Sequence, residues 1–172
     1  MEDVVNRTLR DKLFHTVGEP QVQWTPPPTD FVRVDVDASV QQNQYATCGG
    51  VIQNSQGEWI KGFHKELGHM SAVTAGIHAI RLGLEVFKCL GFTRVKLYSD
   101  SLESINMLTR DGGVDNRFRD VLEETRNIMS SYIHQAYRQG IRVANLLARN
   151  AHGMGENLMV VHILWSLMLA GP

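Results

Sequence analysis

The sequence predicts an α/β domain in which a mixed sheet of five strands is flanked by helices. Three short segments of strand character follow one another before the first long helical segment, an order typical of an antiparallel meander. A strand–helix–strand succession comes next, and such a crossover places its second strand parallel to an earlier one. The chain has 172 residues, which is enough to bury the core of one such domain.

The first three strands are predicted from alternation and turn residues. Valines alternate strictly with charged residues after Phe31, so one face of this strand is apolar and the other carries two carboxylates. Asn54 and Gly57 suit a tight turn between the second and third strands. The three antiparallel strands are therefore predicted at residues 31–39, 46–53 and 58–64.

The later elements are predicted from apolar periodicity and cap residues. Apolar residues recur at helical spacing from Val73 to Phe87, and Gly91 follows where a helix C-terminus is expected. Asp100 is expected to cap the next helix, with Glu103 completing a capping box. The other predicted elements are a strand at residues 95–98, a helix at 116–130, a strand at 132–138 and a helix at 143–151.

Both ends of the chain are predicted to lie outside the domain, which is assigned to residues 30–152. Residues 1–29 are assigned to an N-terminal stub and a linker, because the triple proline at 26–28 has fixed φ angles and no backbone donors. Residues 153–172 are predicted to form an apolar helix that packs on the domain. Its apolar stretch, 158–170, is too short to span a membrane.

The overall charge gives no signature of a nucleic-acid binder. The formal net charge is −1, so any affinity for phosphates has to rest on a local cluster of Lys and Arg. A phosphate-tracking surface or an ordinary solvated surface are both open interpretations of the basic residues in the predicted domain. The candidates for such a surface are Arg33, Lys61, Lys65, Arg138 and Arg142.

Cysteine usage and the N-terminal sequence indicate an intracellular protein. Cys48 and Cys89 are the only cysteines and belong to no zinc-binding pattern, so buried thiols in a reducing compartment are expected. The N-terminus has no apolar segment of a secretory signal. We therefore expect a nuclear or cytoplasmic protein, with no membrane partner and in a monomeric state.

Two acidic residues are candidates for a metal site. Asp37 ends the polar face of the first strand, and Asp100 follows the fourth strand, which is expected beside the first. Carboxylates from adjacent strand ends can converge on a hard cation. Each also has an ordinary explanation, Asp37 as a solvated strand end and Asp100 as a helix cap. From spacing alone both interpretations stay open.

Five stretches, taken together and in order, are specific to one family. They are Trp-Thr-Pro-Pro-Pro at 24–28, Val-Asp-Val-Asp-Ala-Ser at 34–39, the segment from Gly-Gly to Gly-Phe at 49–63, Tyr-Ser-Asp-Ser at 98–101 and Tyr-Arg-Gln-Gly at 137–140. The second stands where the family has N-x-D-G-A. The region from Trp24 to Ala151, about three-quarters of the chain, resembles the ribonuclease H type 1 family. The resemblance is strongest to its plant retroelement-derived branch and implies a ribonuclease H-like fold.

The resemblance also implies a catalytic quartet of Asp, Glu, Asp and Asp. In this family the quartet holds two magnesium ions at the scissile phosphate of an RNA–DNA hybrid. Asp37 and Asp100 match the first and third acids, whereas Gly76 replaces the Glu and Asn145 replaces the fourth Asp. Gln135 stands in place of a histidine. The implied protein is a hybrid-binding domain with a degenerate site, in which magnesium is weakly held or lost and cleavage is impaired or absent.

Two alternatives stay open. One is an active magnesium-dependent hybrid endoribonuclease, with an altered metal site that Asp37 and Asp100 hold with help from Asp35. The other is a vestigial or protein-interaction domain, which the near-neutral charge and the apolar C-terminal residues Trp165 and Leu167 favour.

Overall fold

Within the residues that the structure describes, six strands form one mixed sheet with helices packed on both faces. The computed structural model describes residues 25–110, 118–138, 142–155 and 157–161. Along the chain the elements are β1 (Val32–Val40), β2 (Tyr45–Gln53), β3 (Trp59–His69), α1 (Ala72–Cys89), β4 (Arg94–Ser99), α2 (Leu102–Thr109), α3 (Arg119–Ser130), β5 (Ile133–Arg138), α4 (Arg142–Asn150) and β6 (Met159–Val161). Across the sheet their order is β5-β4-β1-β2-β3-β6.

The strand directions confirm the predicted mixed sheet. β1, β2 and β3 pair antiparallel, while β4 pairs parallel with β1 and β5 pairs parallel with β4. Val36 lies opposite Ser99 in the β1–β4 register, so Asp37, which is still within β1, lies beside Asp100, the first residue after β4. This topology brings the backbone of Asp37 close to that of Asp100.

The two faces of the sheet carry different helices. The main apolar core lies between the sheet and α1, α2 and α3, and it includes Val34 and Val36 of β1. Gly83 lets α1 approach these valines, because a Cβ there would lie 2.6 Å from Val36 Cγ1. α4 covers the opposite face. The polar side of β1, which carries Arg33 and Asp35, is therefore buried and is not exposed to solvent.

The helix ends agree with the prediction at α1 and differ at α2. Gly91 has a φ of +79° just after the last turn of α1, which is the conformation expected of a C-terminal glycine. At α2 the N-cap is Ser101, whose hydroxyl accepts a hydrogen bond from the backbone N–H of Ser104. The expected cap at Asp100 is therefore wrong.

The chain beyond α4 departs from the predicted C-terminal helix. β6 forms a strand that pairs antiparallel with β3 where the helix over 153–172 was expected. A short apolar run has no periodicity that separates strand from helix, and the edge of β3 offers it hydrogen-bonding partners. Residues 162–172, with Trp165 and Leu167, lie outside the described residues. No helix in the described ranges is long and apolar enough to cross a membrane.

The last residues of the predicted linker contact the domain. Pro27 is buried, and the carbonyl oxygen of Thr25 accepts a hydrogen bond from Arg33 Nη1 at 3.0 Å. Residues 1–24 lie outside the described residues. The predicted domain limits at 30 and 152 stay predictions.

Arg126 joins α3 to the end of α2, and replacing it should measurably destabilise the fold. Its guanidinium donates to the carbonyl oxygens of Met107, Leu108 and Arg110, which have no helical partner of their own. Arg126→Met keeps the aliphatic stem and removes these bonds, so we expect a loss of about 1–2 kcal/mol in the free energy of unfolding. Urea denaturation measures this loss. Arg119→Met, on the exposed side of α3, is the matched control, and equal stability of both variants would contradict the prediction.

Candidate functional site

A cavity of about 180 Å³ lies where β4 ends beside Asp37 of β1. The first turns of α1 and α2 form its other walls. Asp37, Gly76 and Asp100 all line this cavity, and the exposed Glu103 lines it from α2. Asn145 approaches the same place from α4, on the opposite face of the sheet. All four predicted site positions therefore come together, while their roles as metal ligands stay predictions.

Asp37 is the buried centre of this site, with an exposed fraction of 4%. One carboxylate oxygen accepts a hydrogen bond from the backbone N–H of Ala38 at 2.8 Å, and the other accepts one from Asn145 Nδ2 at 2.6 Å. Its carboxyl group is also hydrogen-bonded to that of Asp100. The two retained acids are thus in direct contact.

Burial and the neighbouring acid govern the charge of Asp37. Burial, followed by the charge of Asp100 and the hydrogen bond between the two carboxyl groups, raises the pKa of Asp37 to about 7. The donors on Asn145 and Ala38 act in the opposite direction and are weaker. Near neutral pH Asp37 is therefore a mixture of its protonated and ionised forms.

The position of the second family acid is closely packed and leaves no room for a larger side chain. A Cβ on Gly76 would lie 2.3 Å from Ser104 Oγ and 3.3 Å from Ser101 Oγ. Ser104 is fully buried and donates to the carbonyl oxygen of Val73 at 3.1 Å, and its Oγ lies 2.7 Å from Ser101 Oγ. A glutamate at position 76 would require these serines to move.

Asn145 is half-buried and acts as a hydrogen-bond donor in this site. An aspartate in its place would bring a further acidic group to the same carboxylate oxygen of Asp37, 2.6 Å away. The amide instead offers an N–H and no charge, which favours the ionised form of Asp37. Across the described ranges no group of three or more His, Cys, Asp or Glu residues is arranged to hold a metal ion.

Two predictions about the polar face of β1 are wrong. Arg33 was a candidate for a phosphate-tracking surface, but it is 2% exposed and its Nε donates to Asp35 at 2.7 Å. The guanidinium also lies 3.9 Å from the centre of the Tyr98 ring. Asp35 is therefore engaged by the guanidinium of Arg33. Burial raises the pKa of Asp35 to about 6, although the charge of Arg33 and its hydrogen bond lower it.

The other basic candidates divide into two groups. Lys61 and Lys65 are half-buried on the face of β3 that α1 covers in part. The side chains of Arg138 and Arg142 lie outside the described residues. Lys61 and Lys65 therefore stay candidates for a phosphate-tracking surface.

Sequence reasoning missed the two serines that fill the space beside Gly76. Serine is as strongly preferred at an N-cap as aspartate, so Ser101 was an equal candidate for the helix N-cap. No local signal places Ser104 against α1, because that contact depends on how two helices cross. Glu103 was assigned to a capping box, and its place in the cavity wall was not predicted.

The fold and its carboxylate pair define a ribonuclease H-like domain. The chain is similar to the ribonuclease H1 of the halophilic archaeon Halobacterium salinarum NRC-1, with a TM-score of 0.67 and 19% identity over 73% of this chain and 99% of that one. The N-terminal RNase H domain of rv2228c from Mycobacterium tuberculosis gives a TM-score of 0.63 and 16% identity over 70% of this chain and 92% of that one. LC11-RNase H1, which comes from compost, was solved in complex with an RNA/DNA hybrid. Its structure gives a TM-score of 0.62 and 17% identity over 70% of this chain and 95% of that one.

Residues 33–151 match the family described as reverse transcriptase-like. The chain therefore belongs to the reverse transcriptase-like family. Together with the ribonuclease H1 fold, this match confirms the resemblance seen in the sequence, and the assignment to a plant branch stays a prediction. No curated protein matches the chain significantly.

Replacing Asp37 by Asn should change how stability depends on pH. The pKa of Asp37 is about 7 in the folded protein against an ordinary value of 3.8, so the folded state binds this proton more tightly than the unfolded chain. The contribution of Asp37 protonation to the free energy of unfolding is fully present below about pH 4. It is lost as the pH rises from there through 7. Asp37→Asn removes the titration but keeps an acceptor for Asn145 and a donor for Asp100.

Relative to the unmodified protein, the free energy of unfolding of Asp37→Asn should increase by on the order of 2–4 kcal/mol as the pH rises from 4 to 8. Urea unfolding across this pH range measures the difference. Glu123→Gln, at an exposed carboxylate of α3, is the control and should follow the unmodified protein. The same stability difference for Asp37→Asn at both pH values would refute the assignment.

Proposed function

We propose that this chain is a nucleic-acid-binding domain that holds RNA–DNA hybrids, and that its two-metal site is degenerate, with cleavage impaired or absent. The observation that carries the proposal is the state of two positions. Gly76 is packed against Ser104, and Asn145 donates its amide to Asp37. Two of the four carboxylates that the family resemblance implies are therefore missing. The space beside Gly76 is filled by Ser104, and the amide of Asn145 is already hydrogen-bonded to Asp37.

The remaining residues do not fit a pair of magnesium ions. Magnesium requires hard oxygen ligands in near-octahedral array, and two ions carry a charge of +4 against two carboxylates. Asp37 and Asp100 direct part of their bonding capacity at each other, and the amide of Asn145 occupies a further oxygen of Asp37. Loss of an outer-shell partner alone costs roughly 10–100-fold in affinity or activity. Loss of two carboxylates should cost more.

The same changes favour metal-independent approach of a phosphate. A site with four ionised carboxylates repels nucleic acid unless cations neutralise it. Here Asp37 is partly protonated near pH 7, and the amide of Asn145 adds no charge. Hybrids are read largely through shape, phosphates and 2′-hydroxyl groups, which need no catalytic metal. The similarity to LC11-RNase H1, which was solved with an RNA/DNA hybrid, supports this ligand class.

A metal-dependent hybrid endonuclease with an altered site is the second candidate. It is favoured by Asp37 and Asp100, two carboxylates in the wall of one cavity that Glu103 also lines, although the three acids are not grouped as ligands of one ion in the described residues. Asp35 gives no help, because Arg33 engages it. Metal-dependent cleavage of hybrid that is abolished by Asp100→Asn would establish this candidate and overturn the proposed loss of activity.

Asn145→Asp should make the stability of the protein depend on divalent cations. The substitution removes the donor to a buried carboxylate and adds a third acid beside Asp37 and Asp100. In EDTA we expect the free energy of unfolding of Asn145→Asp to be lower by about 2–4 kcal/mol, and millimolar magnesium should restore part of it. The stability of the unmodified protein should change little with magnesium. Thermal unfolding with and without magnesium measures both. Asn127→Asp, exposed on α3, makes the same charge change away from the site. An equal magnesium response in both variants would contradict the prediction.

Hybrid binding should persist in EDTA and weaken steeply with salt, because released counterions drive phosphate binding. Lys65 has no ion-pair partner in the described part of the chain, so Lys65→Gln should reduce the slope of log affinity against log salt by about one. Lys88→Gln, at the far end of α1 from the cavity, should leave the slope unchanged. A gel-shift series with labelled hybrid measures these slopes. Absence of hybrid binding at low salt would instead favour a protein-interaction domain.

A further inference from the structure

We propose that Thr47 and His152 are positioning residues for the Asp37 site. They hold the last turn of α4 against β1 and β2, and they thereby place the amide of Asn145 on Asp37. This inference deepens the proposed function by naming what builds the site, and it relies on that function only for the part of the test that uses nucleic acid.

A glycine opposite Asp37 gives α4 its close approach to the sheet. Gly49 pairs with Asp37 in the β1–β2 register. A Cβ on Gly49 would lie 2.5 Å from the backbone nitrogen of Ala148 and 2.6 Å from Leu147 Cβ. The last turn of α4 therefore rests directly on the backbone of β2. Asn145 lies one turn earlier on the helix, so the seating of this turn controls its reach to Asp37.

Thr47 fastens this turn of α4 to the sheet. It is fully buried, two residues before Gly49 and on the same face of β2. Its Oγ1 donates to the carbonyl oxygen of Ala148 at 2.6 Å, which is closer than its 3.3 Å contact with the carbonyl oxygen of Ser39. The hydroxyl has one proton, and the shorter contact takes it. Thr47 thus anchors a carbonyl group near the C-terminal end of the helix.

His152 closes the arrangement as a donor. Its Nε2 lies 3.0 Å from Thr47 Oγ1 and 3.2 Å from Ser39 Oγ. Because the Thr47 proton goes to Ala148, the Thr47 oxygen accepts from Nε2–H. Burial lowers the pKa of His152, which favours the neutral ring, and the contact with the Thr47 oxygen assigns its single proton to Nε2. The residue therefore links the exit of α4 to both β1 and β2 and does not act as a base toward Ser39.

Glu66 fixes the segment that carries His152. Its carboxylate accepts hydrogen bonds from the backbone N–H of Gly153 and from Tyr45 Oη at 2.9 Å. The N–H groups of Met154 and Gly155 also lie close enough to act on this carboxylate, while Met154 N–H donates to the carbonyl oxygen of Ala151. Gly153 and Gly155 have φ angles of +83° and +94°, a region that glycine enters without strain. Successive backbone donors in such a turn form a concave anion site, and Glu66 fills it. β3 therefore holds the chain just after α4, and His152 keeps its place.

The test compares Thr47→Val with Thr47→Ser, because valine preserves the shape and serine preserves the hydroxyl. The readout is the side-chain amide signal of Asn145 in an NMR spectrum, assigned by its loss in Asn145→Ala. We expect the hydrogen-bonded shift of this signal to be lost in Thr47→Val and kept in Thr47→Ser. Thermal unfolding is followed in parallel. Lower stability of Thr47→Val with an unchanged Asn145 signal would show a merely structural role and overturn the proposal.

A second pair tests the same link if Thr47→Val fails to fold. His152→Gln retains an N–H donor at a comparable distance, whereas His152→Leu has none. The Asn145 signal should stay near its normal position in the first variant and move to that of an unbonded amide in the second. Identical Asn145 signals in both variants would likewise overturn the proposal.

Hybrid binding supplies an independent measurement. At fixed salt, Thr47→Val should bind labelled hybrid roughly ten-fold more weakly than the unmodified protein, because the Asn145 amide would no longer be held on the Asp37 carboxylate. Thr47→Ser should bind like the unmodified protein. If the unmodified protein binds no hybrid, the proposed function fails, while the Asn145 signal still decides the positioning role.

Discussion

A buried carboxyl group on β1, beside the end of β4, sets the conditions for the residues around it. Asp37 is 4% exposed and touches a second acid, Asp100. An ionised group in such a place is costly unless donors or a cation offset its charge. In this chain the backbone N–H of Ala38 and the amide of Asn145 donate hydrogen bonds to Asp37. Partial protonation of Asp37 lowers its remaining negative charge. The site is therefore stabilised largely by groups of the protein itself.

Glycines allow helices to pack closely around this carboxyl group. Gly49 admits α4 on one face of the sheet, and Gly83 admits α1 on the other. Gly76 belongs to the same set, because Ser104 of α2 packs against it. A glycine inside a helix costs roughly 1 kcal/mol relative to alanine, and here close packing against α2 offsets that cost. Gly76, where the family resemblance implies a glutamate, is thus part of the present packing.

These two constraints connect the fold to the proposed function. An RNA–DNA hybrid can be held through its shape and phosphates without two metal ions, provided that the site does not repel it. In the proposed function, fewer ionised carboxylates beside Asp37 reduce the repulsion of phosphates. The same missing carboxylates would be the ligands that metal-dependent hydrolysis needs. Binding without efficient cleavage is consistent with both changes. The arrangement of Thr47, His152 and Glu66 then keeps α4 in register with Asp37.

A mixed sheet, its three antiparallel first strands and the proximity of Asp37 to Asp100 could be predicted from the sequence, because periodicity and family motifs are properties of the chain. The cap at Ser101 could not, since two adjacent residues satisfied the same local rule, nor could the sixth strand β6, since a short apolar run has no distinctive period. The burial of Arg33 under α4 and the packing of Ser104 beside Gly76 became apparent only from the packed helices. Alternation indicates which residues share a face, but what covers that face depends on helix packing between distant segments.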